Sequence, residues 1–510
     1  MTLHLSIMLW LPLAFGVLGL FVRSHYAGWV AIVGAAATLA CAVLCVVDFD
    51  ASATGLQFVT NEPWIRELGI SYKLGIDGLN LFLVALTGIL WFSCTLWAKF
   101  DERTHPRERS QLFYFHLALA ETAVLGALLA QDLALFVVFF DLMLVPFFFL
   151  TGIWGGAKRV QATMKLVIYT LVGSLLMLTA AIATGVIAAA GPPDISFAFS
   201  DLAQRPLSTS SQEWIFLFFA AAFLVKMPAF PLHGWMPDGY RAMPLPVLAV
   251  FSGVLSKVAA YGFLRVCLPL FPAASAHFQT LLLLIALASI LYGSAMAFTT
   301  TEARLVLGYS SVAQLGFITL GVFALDPQGA QGAILQAFNH GLVVAPAFFV
   351  VALLAARSSG SEDIRDMGGI AMRAPVLAVV FLIIAFATLA MPGSSNFVGE
   401  FYILLGVFTQ KIAIAIIASS GVVMAAVYGL RLYITTMHNR TGPRVESREL
   451  SFRDGLVVVP LVVLVLAIAL YPQFALKRSA RTVDAITLPV ALKTKALAGW
   501  TSYAPLKETP

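Results

Sequence analysis

Apolar runs of helix length recur along this sequence and limit what the chain can fold into. A bilayer core is crossed by about 20 consecutive apolar residues, and we place fourteen such runs. Apolar residues make up 60% of the chain and charged residues 11%, against roughly 25% charged residues in soluble proteins. This excludes a soluble enzyme and predicts an all-α, polytopic membrane protein. The runs are 3–22, 28–48, 78–98, 111–130, 132–152, 160–190, 214–240, 244–270, 277–299, 303–324, 328–357, 374–410, 411–438 and 452–472.

The lysine and arginine residues are distributed unevenly between alternate loops. Seventeen lie in odd-numbered loops and four in even-numbered loops. Positively charged loops are retained in the cytoplasm, so we expect the odd loops to be cytoplasmic and the N-terminus to lie outside. The basic C-terminal tail, 473–510, would then also lie outside, which a tail helix along the membrane interface can explain. The small net charge of +5 gives no indication of nucleic acid binding.

Proline and glycine interrupt two of the runs near their middles. One interruption follows Lys226, and the other lies between Ala390 and Glu400. Proline removes a backbone donor and clashes with the preceding turn, so both helices should break there. Broken backbone at membrane depth is tolerated only where it is buried in protein or lines a wet cavity.

The two breaks also indicate an internal repeat. Each contains a Met-Pro pair, and the pairs lie 164 residues apart with five helices between corresponding points. An odd number of helices per repeat inverts one half relative to the other, an arrangement typical of ion and substrate transporters. We therefore expect one membrane domain, 1–510, that contains five-helix repeats at 111–270 and 277–438.

Ionisable side chains at the bilayer centre cost at least about 2.5–3.5 kcal/mol each, so a buried one needs a reason. Arg265 lies nearer a helix end, where a long side chain can reach the interface. The sequence carries no CxxC pair, glycine-rich phosphate loop or haem motif, and we expect no cofactor or metal in this chain. The buried candidates are Glu121, Asp141, Lys226, Lys257, His340 and Glu400.

The order of these groups along the chain is acid, lysine, lysine, histidine, acid, which suits a proton wire. An acid and a lysine in one bundle favour a pair between Asp141 and Lys226, either static or switchable. A lysine in an apolar helix centre, such as Lys257, is suited to load and release a proton. His340 can donate and receive protons or serve as a core residue, and Glu400 can release protons to the outside.

Two further side chains have auxiliary roles in this hypothesis. Gln314 cannot titrate but can hold a water molecule between Lys257 and His340. His233, beside the first break, either gates the inlet or caps the broken helix.

These motifs resemble the antiporter-like membrane subunits of respiratory complex I, an NADH:quinone oxidoreductase, over roughly residues 110–435. The resemblance implies a proton-translocating subunit of that enzyme, coupled to electron transfer in other subunits. The stretches that carry it are Asp141–Pro146, Lys226–Asp238, Lys257 with Tyr261-Gly262, Tyr309–Val312, His340–Leu342 and Met391–Phe401.

The resemblance also implies residue roles. Asp141 and Lys226 correspond to the carboxylate–lysine pair of the inlet, Lys257 to the central lysine, His340 to the connecting histidine and Glu400 to the terminal acid. There are departures: the inlet acid is usually glutamate, and a histidine often stands where this chain has Gln314. Also, Gly239–Pro244 replaces a familiar His-x-Glu-Ala-Pro pattern.

Position 400 separates branches of the family, because subunits L and N and the multisubunit sodium/proton antiporters usually carry lysine there. Subunits L and N are accordingly the expected neighbours on either side, within a bacterial inner membrane. NADH, FMN, iron–sulfur clusters and quinone are expected in partner subunits only. The alternatives are a subunit of a multisubunit cation/proton antiporter or of a membrane-bound hydrogenase-type complex.

Overall fold

The computed structural model describes residues 4–53, 55–102, 105–189, 195–442 and 445–497. Within these residues, eleven helices are long and apolar enough to cross a membrane. Two shorter apolar helices, Leu5–Phe21 and Pro375–Thr388, accompany them. These helices confirm the prediction of a helical membrane protein. The count of fourteen crossings and the division into repeats stay predictions. The last part of the predicted tail, 498–510, lies outside the described residues.

The first half of the chain forms helices separated by short loops, apart from a strand pair after the second helix. Its helices are α1 Leu5–Phe21, α2 Ser24–Asp48, α3 Leu81–Asp101, α4 Ser110–Leu129, α5 Leu133–Leu142, α6 Leu144–Trp154, α7 Arg159–Ala188, α8 Phe199–Gln204, α9 Thr209–Lys226 and α10 Met236–Ala242.

A composite membrane helix opens the second half. It spans residues 245–270 and contains α11 Leu245–Val250, α12 Ser256–Gly262 and α13 Leu268–Leu270, joined by π-helical turns at Phe251–Leu255 and Phe263–Cys267. The remaining helices are α14 Pro272–His277, α15 Gln279–Thr299, α16 Ala303–Phe323, α17 Pro327–Arg357, α18 Pro375–Thr388, α19 Ser395–Gln410, α20 Ile412–Met437, α21 Phe452–Leu470 and α22 Gln473–Leu497.

The polar segment after α2 forms an antiparallel β-hairpin. Strands β1 (Gln57–Ile65) and β2 (Ile70–Ile76) are joined by a short 3₁₀ turn and by Gly69. Gly69 has φ +65°, and a Cβ there would overlap the carbonyl oxygen of Ile195. Glycine is therefore required at this turn, both for its left-handed backbone and for the close approach of the loop before α8.

The loops collect on two faces of the helix bundle. The hairpin face carries β1, β2 and the loops at 130–132 and 195–208, joined by bonds such as Gln131 N–H to the Lys73 carbonyl (2.8 Å). The opposite face, which we call the charged face, carries the described loop residues 105–109, 155–158, 300–302, 358–374, 438–442 and 445–451. Arg241 pairs there with Glu302, and Arg304 pairs with Glu362. The odd-numbered loops, in which the basic residues concentrate, thus share one face.

Helix α22 packs across the hairpin face through an apolar stripe that includes Leu476, Val483 and Val490. The Thr482 hydroxyl accepts a hydrogen bond from the Gly78 backbone N–H, just before α3. The Arg481 guanidinium donates to the carbonyl of Ser52, after α2. The described part of the basic tail is therefore a helix fixed to the bundle.

Candidate functional site

Lys226 ends helix α9 and lies beside the helix that carries Asp141. Its ammonium donates to the backbone carbonyl of Phe140 (3.2 Å) and lies over the Phe140 ring, 4.6 Å from the centroid. Among the described residues, no ion pair within 4.0 Å joins Lys226 to Asp141, although the two charges interact electrostatically. The structure thus brings the two residues together without a direct ion pair between them.

An interruption in the Asp141 helix makes the Phe140 carbonyl available. Helix α5 ends at Leu142 and α6 begins at Leu144. Pro146 lacks a backbone donor and crowds the carbonyl four residues earlier, which explains the stop. The last carbonyls of a helix have no intrahelical partner, and Phe140 belongs to that turn. The sequence analysis missed this break, although Pro146 was a signal for it.

The first predicted break is present between Lys226 and Met236. The Trp235 indole donates to the carbonyl of Val225 (3.0 Å), and the Ser289 hydroxyl accepts from the Phe230 backbone N–H (2.9 Å). These bonds satisfy backbone groups that the break frees at membrane depth.

His233 lies within this break, buried between aromatic rings. Its ring centroid is 5.7 Å from that of Phe230 and 4.7 Å from that of Tyr292. The buried Nδ1 atom has no hydrogen-bond partner among the described residues, so within them the side chain does not cap the helix through that atom.

Lys257 is fully buried in α12, just after the first π-helical turn. Its ammonium donates to the carbonyl of Ser252 (2.5 Å), which also accepts from the Ser256 hydroxyl (3.2 Å). Single π turns often mark functional sites in helices, and this one places the Ser252 carbonyl within reach of the lysine. No carboxylate of the described residues lies within 4.0 Å of the ammonium. The hydrogen-bond acceptor of Lys257 is therefore a neutral backbone carbonyl rather than a carboxylate.

A glycine–glycine crossing holds Lys257 near His340. A Cβ on Gly341 would lie 2.4 Å from the Gly253 carbonyl oxygen and 2.5 Å from Leu86. Only hydrogen at this position allows the composite helix and α17 to approach so closely. His340 is buried and lies within electrostatic range of Lys257. Its Nδ1 has no hydrogen-bond partner in the part of the chain that the structure describes.

The second predicted break separates α18 from α19 and precedes Glu400 in α19. Gly393, within it, adopts φ +93°. The Glu400 carboxylate accepts from the Gln314 amide (2.7 Å), and the Gln336 amide in turn donates to Gln314 Oε1 (2.6 Å). Gln314, predicted to hold water between Lys257 and His340, thus has both amide atoms bonded within this group. Gln336 was missed because a neutral amide carries no charge that marks it in an apolar run.

A second missed contact is a buried ion pair outside the predicted wire. The Arg265 guanidinium donates to the Asp77 carboxylate and to the Tyr261 hydroxyl (3.0 Å). The expectation that Arg265 reaches the interface is therefore wrong, because Asp77, 188 residues earlier, meets it inside the protein.

Glu121 lies apart from the other candidates, buried in α4 with one carboxylate oxygen unpartnered. In the described ranges, no group of three or more His, Cys, Asp or Glu side chains is arranged to hold a metal ion. The arrangement as a whole joins acids, amines, an imidazole and amides through one bundle, which suits proton transfer.

Comparison with known proteins gives a family profile and similar sequences that cover most of this chain. Residues 130–425 match the family profile described as NADH:quinone oxidoreductase/Mrp antiporter, TM. A protein of Rhodobacter capsulatus named NADH-quinone oxidoreductase subunit M is 35% identical over 490 residues, covering 92% of this chain and 93% of the relative.

Solved structures share the fold over nearly the whole chain. A chain of respiratory complex I from Thermus thermophilus with bound NADH matches with a TM-score of 0.85 and 29% identity, over 95% of this chain and 99% of that one. A chain of the Mrp complex from Dietzia sp. matches with a TM-score of 0.84 at 22% identity, over 98% of this chain and 100% of that chain. The second similarity concerns the fold alone.

Proposed function

Because the chain belongs to the NADH:quinone oxidoreductase/Mrp antiporter family of membrane subunits, we propose that it is the proton-translocating subunit M of a respiratory complex I, the counterpart of mitochondrial subunit 4. The observation that carries this proposal is the set of titratable groups in the bundle of a chain whose curated relatives are named NADH-quinone oxidoreductase subunit M. Lys226, Lys257, His340 and Glu400 are buried, whereas Asp141, predicted to be buried, is only partly so. Electron transfer from NADH to quinone takes place in other subunits, which hold the FMN and the iron–sulfur clusters.

The proton path runs through this line of groups. Separation of Lys226 from Asp141 sends a proton from Lys226 to Lys257, then to His340 and to Glu400. Two hydrogen bonds support the role of the lysines as proton carriers. The Lys226 ammonium donates to the Phe140 carbonyl, and the Lys257 ammonium donates to the Ser252 carbonyl. An ammonium that no carboxylate fixes can release its proton with less reorganisation. Glu121, His233 and Gln314 are auxiliary groups.

The subunit works in a bacterial plasma membrane between the antiporter-like subunits L and N. Its N-terminus lies outside, the charged face meets the cytoplasm, and fourteen crossings include two inverted five-helix repeats, 111–270 and 277–438. Lysine and arginine in the loops of the charged face support this orientation, and the two breaks at equivalent places support the repeats.

A variant of the central lysine tests the function. Lys257→Ala complex, assembled in inverted membrane vesicles, should oxidise NADH with quinone while the protons moved per electron fall below the wild-type ratio. Thr319→Val in the neighbouring helix α16 is a control for a buried polar-to-apolar change outside the path. A normal proton yield in Lys257→Ala vesicles would refute the proposal. Proton movement that continues without NADH but follows an applied sodium gradient would favour a cation/proton antiporter.

A further inference from the structure

A column of polar side chains follows the composite helix from Lys257 toward the hairpin face. Lys257, Tyr261 and Arg265 are spaced four residues apart, so they lie along one side of the helix. All three side chains are buried. At the hairpin face the Arg265 guanidinium donates to the carboxylate of Asp77, which directly follows strand β2. The column thus leads from the central lysine of the proposed path to one surface of the bundle.

An open column would release protons too early. In the proposed function a proton on Lys257 passes through His340 and Glu400 before it reaches the outside, and the hairpin face is the outer face. A direct exit past Tyr261 would bypass both groups. The Lys257 ammonium donates to the Ser252 carbonyl, on the charged-face side and away from Tyr261. The direct route must therefore be closed at a point beyond Lys257.

Arg265 has the chemistry to close it. Its Nε donates to the Tyr261 hydroxyl (3.0 Å), and a terminal nitrogen donates to Asp77. A guanidinium offers donors on every side, has no acceptor and keeps its proton in proteins. Proton transfer along hydrogen-bonded groups needs members that accept as well as donate, so it stops at this side chain. Its positive charge also repels an approaching proton, as arginines do in pores that exclude protons.

The packing around Tyr261 restricts a bypass by water. The Arg265 guanidinium lies over the Tyr261 ring, 5.5 Å from its centroid. The ring of Phe136 lies 6.5 Å from that of Tyr261. On the other side of the helix, a Cβ on Gly262 would lie 2.5 Å from the Phe223 ring. The column is therefore enclosed by aromatic rings at the level of the arginine.

Stability alone gives little reason to bury this ion pair. An apolar pair of similar size often serves a fold as well as a buried ion pair does. Ionisable groups inside membrane proteins commonly mark ion and proton pathways. Arg265 and Asp77 are both buried where the column meets the hairpin face. Control of proton movement accounts for their position.

A second arginine, Arg431, provides a comparison within the same chain. A Tyr-Gly pair precedes it closely, as one precedes Arg265. Arg431 is only partly buried, and its guanidinium donates to the carbonyls of Phe298 (2.6 Å) and Thr300 (2.9 Å) at the end of α15. Among the described residues, no carboxylate lies within 4.0 Å of it. Arg431 therefore caps a helix at the charged face and closes no buried column.

We propose that Arg265, held in place by Tyr261 and Asp77, is a barrier that closes the direct route from Lys257 to the hairpin face. Protons on Lys257 are thereby directed to His340. Arg265 itself neither takes up nor releases a proton. The inference rests on the proposed function, since it concerns a leak from the same path.

Passive proton leak tests the barrier in proteoliposomes that contain the assembled complex, without NADH. Arg265→Gln combined with Asp77→Asn removes both charges together and leaves groups that accept as well as donate. Decay of an imposed pH gradient should become about tenfold faster, the effect of one charge at about 12 Å in a medium of effective dielectric constant near 20; eight helical residues span about 12 Å. Arg265→Lys, which keeps the charge, and Arg431→Gln should decay at the wild-type rate. A wild-type rate in the double variant would refute the barrier.

Two more variants show whether a leak follows the column. Adding Lys257→Ala to the double variant should return the decay to the wild-type rate, because the leak starts at that lysine. A leak that persists would show only that the bundle had loosened, and the barrier would be refuted. Tyr261→Phe is milder, since it removes one hydroxyl and keeps the ion pair. It should retain the wild-type proton-to-electron ratio, and a lower ratio with normal NADH oxidation would mean that the column conducts protons.

The leak and the proposed function fail in different measurements. The leak is measured without electron transfer, whereas the function is tested by pumping in Lys257→Ala. If Lys257→Ala stops pumping while the double variant stays tight, the barrier is refuted and the proposed function stands. If Lys257→Ala pumps normally, the proposed function itself fails.

Discussion

The Lys226 ammonium donates to the backbone carbonyl of Phe140, one residue short of the Asp141 carboxylate. The lysine of the proposed inlet pair therefore rests on a neutral oxygen, with its acid close by. A neutral acceptor holds an ammonium less tightly than a carboxylate does. In the proposed mechanism, this arrangement corresponds to the separated state of a switchable pair.

Two changes at Asp141 should have opposite results. Asp141→Glu lengthens the side chain by one methylene, so the carboxylate can reach Lys226 and proton yield should be retained. Asp141→Asn removes the charge that attracts the ammonium back, and most of the proton yield should be lost while NADH oxidation continues. Vesicle acidification per NADH oxidised measures both. Asp201→Asn, on the hairpin face, is the control, and equal yields from Asp141→Asn and wild type would contradict the switch.

The buried ion pair between Arg265 and Asp77 predicts non-additive stability effects. Arg265→Met leaves the Asp77 carboxylate buried without its partner, and removal of one member of a buried pair costs about 3–5 kcal/mol. The double variant Arg265→Met with Asp77→Leu replaces both charges by apolar groups and should recover most of that loss. Thermal denaturation of the purified complex, followed by exposure of this subunit to protease, gives the comparison. Additive losses would show that the two groups are not coupled.

The crossing of Gly253 and Gly341 predicts a strong penalty for one methyl group. In Gly341→Ala the new Cβ meets the Gly253 carbonyl at 2.4 Å, and the helices must separate, at a cost of about 1–3 kcal/mol. Proton yield should also fall, because His340 moves away from Lys257.

The control for this variant is Gly429→Ala in α20, where the nearest atoms lie at 3.9 Å. Alanine favours a helix over glycine by roughly 0.5–1 kcal/mol, so this variant should be neutral or slightly more stable. Similar melting temperatures for the two variants would show that the crossing tolerates a side chain.

Glu449, on the charged face, predicts an acid-sensitive loop. Partial burial raises the pKa of its carboxyl, but hydrogen bonds from the backbone N–H groups of Leu450, Val376 and Leu377 outweigh this and hold the pKa below its usual range. A carboxyl with a lowered pKa stabilises the fold above its unfolded pKa of about 4.3, and this contribution disappears as the pH falls through the folded value.

The measurement is the difference in melting temperature between wild type and Glu449→Gln. It should be largest near pH 7 and shrink as the pH is lowered below about 4, because the wild-type carboxyl then becomes neutral as well. Amide exchange at Val376 and Leu377 should accelerate in parallel. A difference that does not change with pH would mean that the carboxylate charge contributes nothing to this contact.

Local signals in the sequence predicted the helix ends and the two central breaks. Proline forbids the continuing turn, so the breaks after Lys226 and before Glu400 follow from the residues alone. The π turns around Lys257 were not predictable in this way, because neither Phe251–Leu255 nor Phe263–Cys267 contains a proline. The Asp77–Arg265 pair joins residues far apart in the chain, which periodicity does not relate.

Charge marks some of the candidate residues in the sequence, whereas neutral polar side chains are not marked, and the roles of the charged residues stay predictions. A lysine or glutamate in an apolar run stands out because its burial is costly, and all five predicted path residues lie in or against the bundle. Gln336 has a smaller burial cost, so only its hydrogen bond to Gln314 in the folded chain identifies it.

The contacts of α22 have a consequence for biosynthesis. The hydrogen bond from Gly78 to Thr482 joins positions 404 residues apart. The first helices therefore leave the ribosome long before α22, which carries Thr482, is translated. The start of α3 therefore lacks this hydrogen bond while the later helices are being inserted. The contact can form only after synthesis has passed residue 482, and a chain truncated before α22 would lack it.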